Sequence, residues 1–387
     1  MDEQFIFSKQ YRNILPILAA VSLVVFLLAV VLSGSGSARI WSNILLNNQF
    51  FLGISLGAAF FIAVHRVATS GWQTVIQRVP DAMTSFLPVA FILMLLIYFG
   101  MNDIYAWADS EVYEGLTGAK KIWLNIPFYF VRMVLYFAGW IFFIRMMKKN
   151  SESLTISSDL KYHNRRKIFA GLFLVFFGIT VSASSWDWIM SLKPDWYSTI
   201  FGWYVLISMF VASLCFIILI TWLLRRMGYL KVLRSDHVHD LAILLFAFSI
   251  FWAYQWFAQY LLIWYGHLPE ETSYFIPRQH EFTLLFFLNL GINFIVPFFG
   301  LIRTSSKYNL NRVAAIAAMT LIGHWIDYWL LIMPETAGTK ATIGLPEISM
   351  TLIYACGFIY IFFRTLSHGP LIVKNDPFLQ ESLNYES

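Results

Sequence analysis

Ten stretches of this sequence are apolar for long enough to cross a bilayer, and that constrains the fold more than anything else in it. They run at about 14–33, 48–67, 84–105, 124–146, 167–189, 198–224, 240–265, 280–302, 312–333 and 346–366. A helix needs about 20 residues to span the hydrocarbon core. Inside lipid every backbone N–H and C=O must be paired within the protein, which leaves helices or a closed barrel. Barrel strands alternate apolar and polar residues, and these runs do not. The expected fold class is therefore an all-α integral membrane protein with ten transmembrane helices. The composition agrees: 13% of the 387 residues are charged, against about 25% in a soluble domain. The first run follows Lys9 and Arg12 and precedes a Ser/Gly stretch, as a signal peptide would. At about 19 apolar residues it exceeds the usual 7–15, so it reads as an uncleaved anchor.

The loops are short, and none could form a catalytic domain, so any function lies in the helices or in what docks on them. Twenty Lys and Arg residues fall on the side of the amino terminus, six on the other side, and Arg132 falls inside the fourth run. Basic loops stay in the cytoplasm, so both termini are expected there, with the 186–198 turn and the 267–281 segment on the far side. The net charge of +5 comes from this topology and gives no reason to expect a nucleic-acid partner.

A weak internal repeat suggests how the spans are grouped. Phe50-Phe51-Leu52-Gly53-Ile54-Ser55-Leu56-Gly57-Ala58-Ala59 in span two resembles Trp203-Tyr204-Val205-Leu206-Ile207-Ser208-Met209-Phe210-Val211-Ala212 in span six. Trp186-Asp187-Trp188 closes span five, and Trp325-Ile326-Asp327-Tyr328-Trp329 lies in span nine. The expected organisation is a single membrane domain, 1–387. It holds a peripheral helix at 14–33, a four-helix bundle at 48–189 and a second at 198–333. A peripheral helix at 346–366 and a cytoplasmic tail at 367–387 complete it.

An ionisable side chain inside a span is costly and marks a candidate site. The candidates are Asp103, Arg132, Asp187, His280, Glu281, His324 and Asp327, all toward the far side. His324 and Asp327 are three residues apart and share a helix face. Arg132 could reach Asp187 on the next helix by extending its side chain. That pair reads either as a structural ion pair, as a polar pocket for a quinone head group, or as a step in a proton path. Thr180, Ser182, Ser184 and Ser185 lead along span five toward Asp187, and His65 lies at the opposite edge. Hydroxyls of this kind serve helix packing or a proton path.

Redox centres have no evident ligands. The only cysteines, Cys215 and Cys356, lie singly inside spans, and there is no CxxC or CxxCH, so iron–sulfur and covalent haem ligation are not expected. Haem b needs two histidines at matched depth, and only His324 is well inside a span. Pro297 is the one proline well inside a span, whereas secondary transporters use matched interrupted helices. That weighs against a stand-alone transporter.

The stretch Trp186-Asp187-Trp188-Ile189-Met190-Ser191-Leu192-Lys193-Pro194-Asp195-Trp196-Tyr197-Ser198-Thr199-Ile200-Phe201-Gly202 resembles a family signature. It is that of the NrfD/polysulfide-reductase-like membrane subunits of alternative complex III. Asn48-Gln49-Phe50-Phe51-Leu52-Gly53-Ile54-Ser55-Leu56-Gly57-Ala58, with Gly71-Trp72 and Arg78-Val79-Pro80-Asp81-Ala82-Met83, resembles it as well. The resemblance implies a bacterial cytoplasmic (inner) membrane complex that oxidises menaquinol or ubiquinol. Electrons would pass through haem c and iron–sulfur clusters on partner subunits to a periplasmic acceptor. The implied partners are a second NrfD-like subunit, an iron–sulfur subunit, multihaem and monohaem cytochrome c subunits, and lipids. This chain looks most like the second NrfD-like copy, which binds no cofactor and supports assembly and proton translocation. A quinol-binding role for the polar cluster is the alternative. The absence of a histidine beside Asp187 departs from a quinol site.

Overall fold

The structure is a computed structural model that describes residues 3–32, 34, 36–156, 159–338 and 341–386. Among the described residues, ten helices are long and apolar enough to cross a membrane. We number them α1 (Lys9–Leu32), α2 (Ser37–Val67), α3 (Arg78–Ile104), α4 (Ile126–Leu154), α5 (Leu160–Leu192), α6 (Phe201–Arg226), α7 (Ser235–Gly266), α8 (Thr283–Leu301), α9 (Leu310–Thr336) and α10 (Leu345–Leu366). The chain is an all-α membrane protein; among the described residues the β pairing is a single bridge, Gln4 to Pro370.

Small side chains decide which helices sit at the centre. Without a hydrophobic drive between helices in lipid, close backbone approach is what gains packing. A Cβ built on Gly57 of α2 would lie 2.6 Å from the Met209 carbonyl oxygen and 2.7 Å from Ser213 Cβ of α6. One on Gly202 would lie 2.7 Å from Ser182 Cβ, so α6 crosses α5 equally closely. The small-residue positions of α2 thus face the helix that repeats their pattern. Around this seam α2, α3, α4 and α5 pack in one ring, and α6, α7, α8 and α9 in another. The rings also meet where α5 packs on α6 and α9 on α2, contacts that correspond when α2 is matched with α6 and α5 with α9. The helices α1 and α10 pair with each other outside the rings, with α10 against α2.

Several helices depart from the simple runs. The third begins at Arg78 rather than 84 and is broken into short α and 3-10 segments, with Pro88 at the start of one of them. Proline has no N–H to continue a helical ladder but suits a first turn. In α8 the segment Gly291–Ile295 is a π turn just before Pro297. The proline ring clashes with the carbonyl four residues back, which opens the ladder there. The polar, basic stretch at 147–166, a loop by its composition, is largely helical, because the helix of α4 runs on beyond its membrane span to Ile156 and α5 starts at Leu160.

Both termini lie at one face. The Leu371 amide donates to the Glu3 carbonyl at 2.8 Å, and the Leu230 amide to the Glu3 carboxylate at 2.7 Å. The carboxy-terminal tail is a strap across this face rather than a free end. Arg166 donates to Asp376 at 2.6 Å, Ser382 Oγ donates to the Trp72 carbonyl at 2.6 Å, and Tyr385 donates to Asp240 at 2.6 Å. Burial pushes the Asp376 carboxyl up, but the Arg166 hydrogen bond and charge and the Phe378 amide outweigh it and hold the group below the usual carboxylate range. A carboxyl depressed in the folded state stabilises fully above its unfolded pKa and loses that contribution as pH falls through the folded one. The strap should therefore stay docked at neutral pH and detach as pH drops below about 4. Asp376→Asn should detach it at neutral pH. Limited proteolysis of the tail across a pH series is the check; equal protection of both proteins at pH 7 would refute it.

Candidate functional site

Two buried carboxylates, Asp187 and Asp327, stand at the ends of the two rings away from the termini, and their surroundings differ. Asp187 closes α5, where the hydrogen-bonded helix stops at Trp188. It is fully buried. Arg132 of α4 donates to it twice, Nε to Oδ2 and Nη2 to Oδ1, both at 2.8 Å. Trp123 Nε1 donates at 2.7 Å and the Tyr136 hydroxyl at 3.0 Å. The guanidinium lies against the rings of Trp123 and Phe128, 4.2 and 4.3 Å from their centroids. Both oxygens are saturated, and the one charge is matched by a bidentate partner.

Asp327 sits deeper, nine residues before the end of α9, or roughly 14 Å of helix. Donors from three neighbouring helices converge on it. Tyr204 and Ser208 of α6 donate to its two oxygens, the second at 2.9 Å. Asn289 of α8 donates at 2.9 Å, and Trp252 of α7 at 3.3 Å. Ser208 also meets His324 Nδ1 at 2.9 Å, so the hydroxyl bridges the two members of the pair. Asn289 of α8 donates to Asp327 as Arg132 of α4 donates to Asp187, but it is a neutral amide and not a cation. Among the described residues no lysine or arginine forms an ion pair with Asp327. The π turn sets Asn293 beside this centre: it donates to Asn289 Oδ1 at 2.6 Å. A Cβ on Gly323 would lie 2.3 Å from Asn293 Oδ1, so glycine there gives the asparagine its room.

Polar groups continue in both directions from Asp327. Toward the membrane middle, His324 Nε2, Thr320 Oγ1, Asn293 Oδ1 and Ser249 Oγ are buried without a hydrogen-bond partner among the described residues. His324 and Thr320 share one face of α9. Toward the face opposite the termini, a cavity of about 30 Å³ lies among Asp327, Asn289, Tyr204, Gln259, Tyr274 and Arg278. Arg278 stacks on Tyr274, 3.5 Å from the ring centroid, and pairs with Glu335 at 2.8 Å. Burial pushes the Tyr274 hydroxyl up to about 12, against the lowering effect of Arg278, so it stays protonated. That volume suits one or two small molecules of water size.

Other expected residues fall elsewhere. His280 and Glu281 are exposed at the break between the Pro269–His280 helix and α8, and Asp103 is exposed and accepts from Ser37 at 2.9 Å. None of the three joins a buried cluster. The reason is helix phase: the face of Pro269–His280 that turns inward carries Tyr274, Phe275 and Arg278. The hydroxyls of α5 are capped locally. Thr180 donates to the Phe176 carbonyl, Ser182 to Gly178, Ser184 to Val181 and Ser185 to Ser182. Thr180 also accepts from Trp140 at 2.8 Å, which ties α4 to α5. His65 bonds the Phe61 carbonyl at 2.8 Å and packs on Trp72 at the termini face, far from either carboxylate. A third acid escaped the sequence reading. Glu347, at the start of α10, takes both arms of Arg39 at 2.8 Å and Asn43 at 3.1 Å, locking α10 to α2. Arg278 escaped it too, since it was counted with the loops. Its signal was its place on a twelve-residue amphipathic helix.

Among the described residues no group of three His, Cys, Asp or Glu side chains has metal-binding proximity. The chain matches no protein-family model and no curated protein.

Proposed function

We propose that this chain is a membrane subunit of a quinol-oxidising respiratory complex of the alternative complex III kind. It binds no redox cofactor, supports assembly through its first ring, and moves protons through its second. The single observation that carries the proton reading is Asp327. It has donors on both oxygens, no ion pair among the described residues, and polar groups leading away on either side. A carboxyl so placed can gain or lose a proton without breaking an ion pair. The assignment to the complex rests on the 186–202 and 48–83 sequence motifs. In this reading both termini are cytoplasmic, the membrane is the bacterial inner one, and quinol is oxidised on a partner. The haem c and iron–sulfur centres also belong to partner subunits.

A second reading has one observation in its favour. An apolar cavity of about 320 Å³, lined by Trp123, Trp186, Met190, Pro194, Trp196 and Tyr197, lies beside Asp187. An aromatic slot of this size suits a quinone ring. Buried N–H groups of Trp186 and Trp196 stand without partners among the described residues beside it. Asp187, however, already accepts four hydrogen bonds and is poorly placed to take a quinol proton, which favours the first reading.

Purification from native membranes tests the assignment. The chain should bring haem- and iron–sulfur-containing partners with it, and a chain that arrives alone in active form would be a transporter or another stand-alone protein. Orientation has its own check. A cysteine replacing Lys193 should be labelled from outside intact cells, and one replacing Ser153 should not; the reverse pattern would invert the topology.

A further inference from the structure

The cavity of about 860 Å³ between the start of α1 and the end of α10 has no part in either carboxylate centre. We propose that it holds the phosphate head group of an anionic phospholipid, with an acyl chain lying along the adjacent face of α10. Arg12 reaches it from the first turn of α1, and Arg364 and His368 from the last turn of α10 and just beyond. Tyr360, Arg364 and His368 follow one another at four-residue intervals, so they form one stripe. Among the described residues neither arginine forms an ion pair. His368 Nδ1 is engaged by the Arg364 carbonyl at 2.6 Å, which leaves Nε2 for another partner.

The depth is that of a head group. The spans begin at Lys9 and end at Leu366, which sets both arginines at the boundary of the hydrocarbon. Two guanidiniums and an imidazole beside one cavity suit a phosphodiester. The rest of the lining suits a lipid rather than free phosphate. Phe7 and Tyr360 pack edge to face at 5.6 Å to form an apolar wall. One turn deeper than Tyr360 on α10, a Cβ on Gly357 would meet nothing within 4 Å, which leaves a shallow channel where a chain could lie. The neighbouring helix α1 is the least buried of the ten, with 17% of its apolar window covered. This corner therefore opens to lipid.

Native mass spectrometry of the detergent-purified chain tests this. It is run with phosphatidylglycerol, diphosphatidylglycerol, phosphatidylcholine and inorganic phosphate as separate additions. The wild type should retain one anionic lipid per chain in preference to phosphatidylcholine by about tenfold to thirtyfold, the effect of two cationic side chains near the membrane surface. Arg12→Gln with Arg364→Gln should remove that preference, and Arg12→Lys with Arg364→Lys should keep most of it. Gly357→Leu should weaken retention with the head-group residues intact. Millimolar phosphate should not displace the lipid. The proposal fails if the wild type shows no anionic preference, however the variants fold. It also fails if the double glutamine variant retains lipid unchanged, if phosphate alone competes, or if a peptide rather than a lipid occupies the site.

Discussion

Asp187→Asn is expected to destabilise the fold strongly. The substitution is nearly isosteric, so the loss comes from charge. Arg132 is buried, packed against Trp123 and Phe128, and donates twice to the carboxylate. Without the negative charge, the guanidinium is left in a low-dielectric site with one acceptor. Stranding one member of a buried pair typically costs about 3–5 kcal/mol, against a total stability of about 5–15 kcal/mol for a folded protein. Thermal unfolding in detergent and the yield of monodisperse protein should both fall sharply. Replacing both partners, Arg132→Met with Asp187→Leu, should recover much of the loss, because no charge is then left alone. An Asp187→Asn protein that is as stable as wild type but inactive in the assembled complex would give Asp187 a chemical role instead.

Asp327→Asn is expected to do the opposite. Among the described residues no cation pairs with Asp327, and the Tyr204 and Ser208 hydroxyls that face it can each turn from donor to acceptor. One lost hydrogen bond, the longer one from Trp252, corresponds to about 1 kcal/mol. In the proposed complex the variant should therefore assemble normally. Coupled proton movement should fall about 100-fold, the range associated with one positioned proton-transferring group, while quinol oxidation continues. The measurement is quinol oxidation by the complex in sealed vesicles, followed together with a pH-sensitive dye inside them. Loss of quinol oxidation itself would move the quinol site onto this chain. No change in either signal would leave Asp327 a structural residue.

These two outcomes reverse the weight that the sequence motif alone puts on Asp187. In the sequence, Trp186-Asp187-Trp188 is the more conspicuous of the two acids, because it closes a span and a polar turn follows. Asp327 lies in a span whose aromatic residues resemble those of every other span. What separates them is the residue across the gap, Arg132 in one ring and Asn289 in the other. The sequence contains both residues but does not state that α4 faces α5 there and α8 faces α9. The pairing of Arg132 with Asp187 was within reach of sequence reasoning, since they lie on adjacent spans and a buried charge demands a partner. The convergence of Tyr204, Ser208, Trp252 and Asn289 on Asp327 was not, because neutral polar side chains in a helix can always bond to their own backbone. Those of α5 do so, while those of α6 and α8 reach across.

By itself the sequence determined the ten spans and their helical nature, since apolar length is a local property and lipid leaves the backbone no other pairing. It also suggested, through the weak repeat of 50–59 in 203–212, that α2 and α6 correspond. Only the tertiary structure decided which buried acid carries a cation, why Arg278 turns inward while His280 and Glu281 stay outside, and how Glu347 ties α10 to Arg39. Each of these depends on the rotation of a helix about its own axis. In lipid, where apolar side chains gain little by facing one another, that rotation is set by small-residue contacts and by charge pairs between segments as far apart as Arg39 and Glu347.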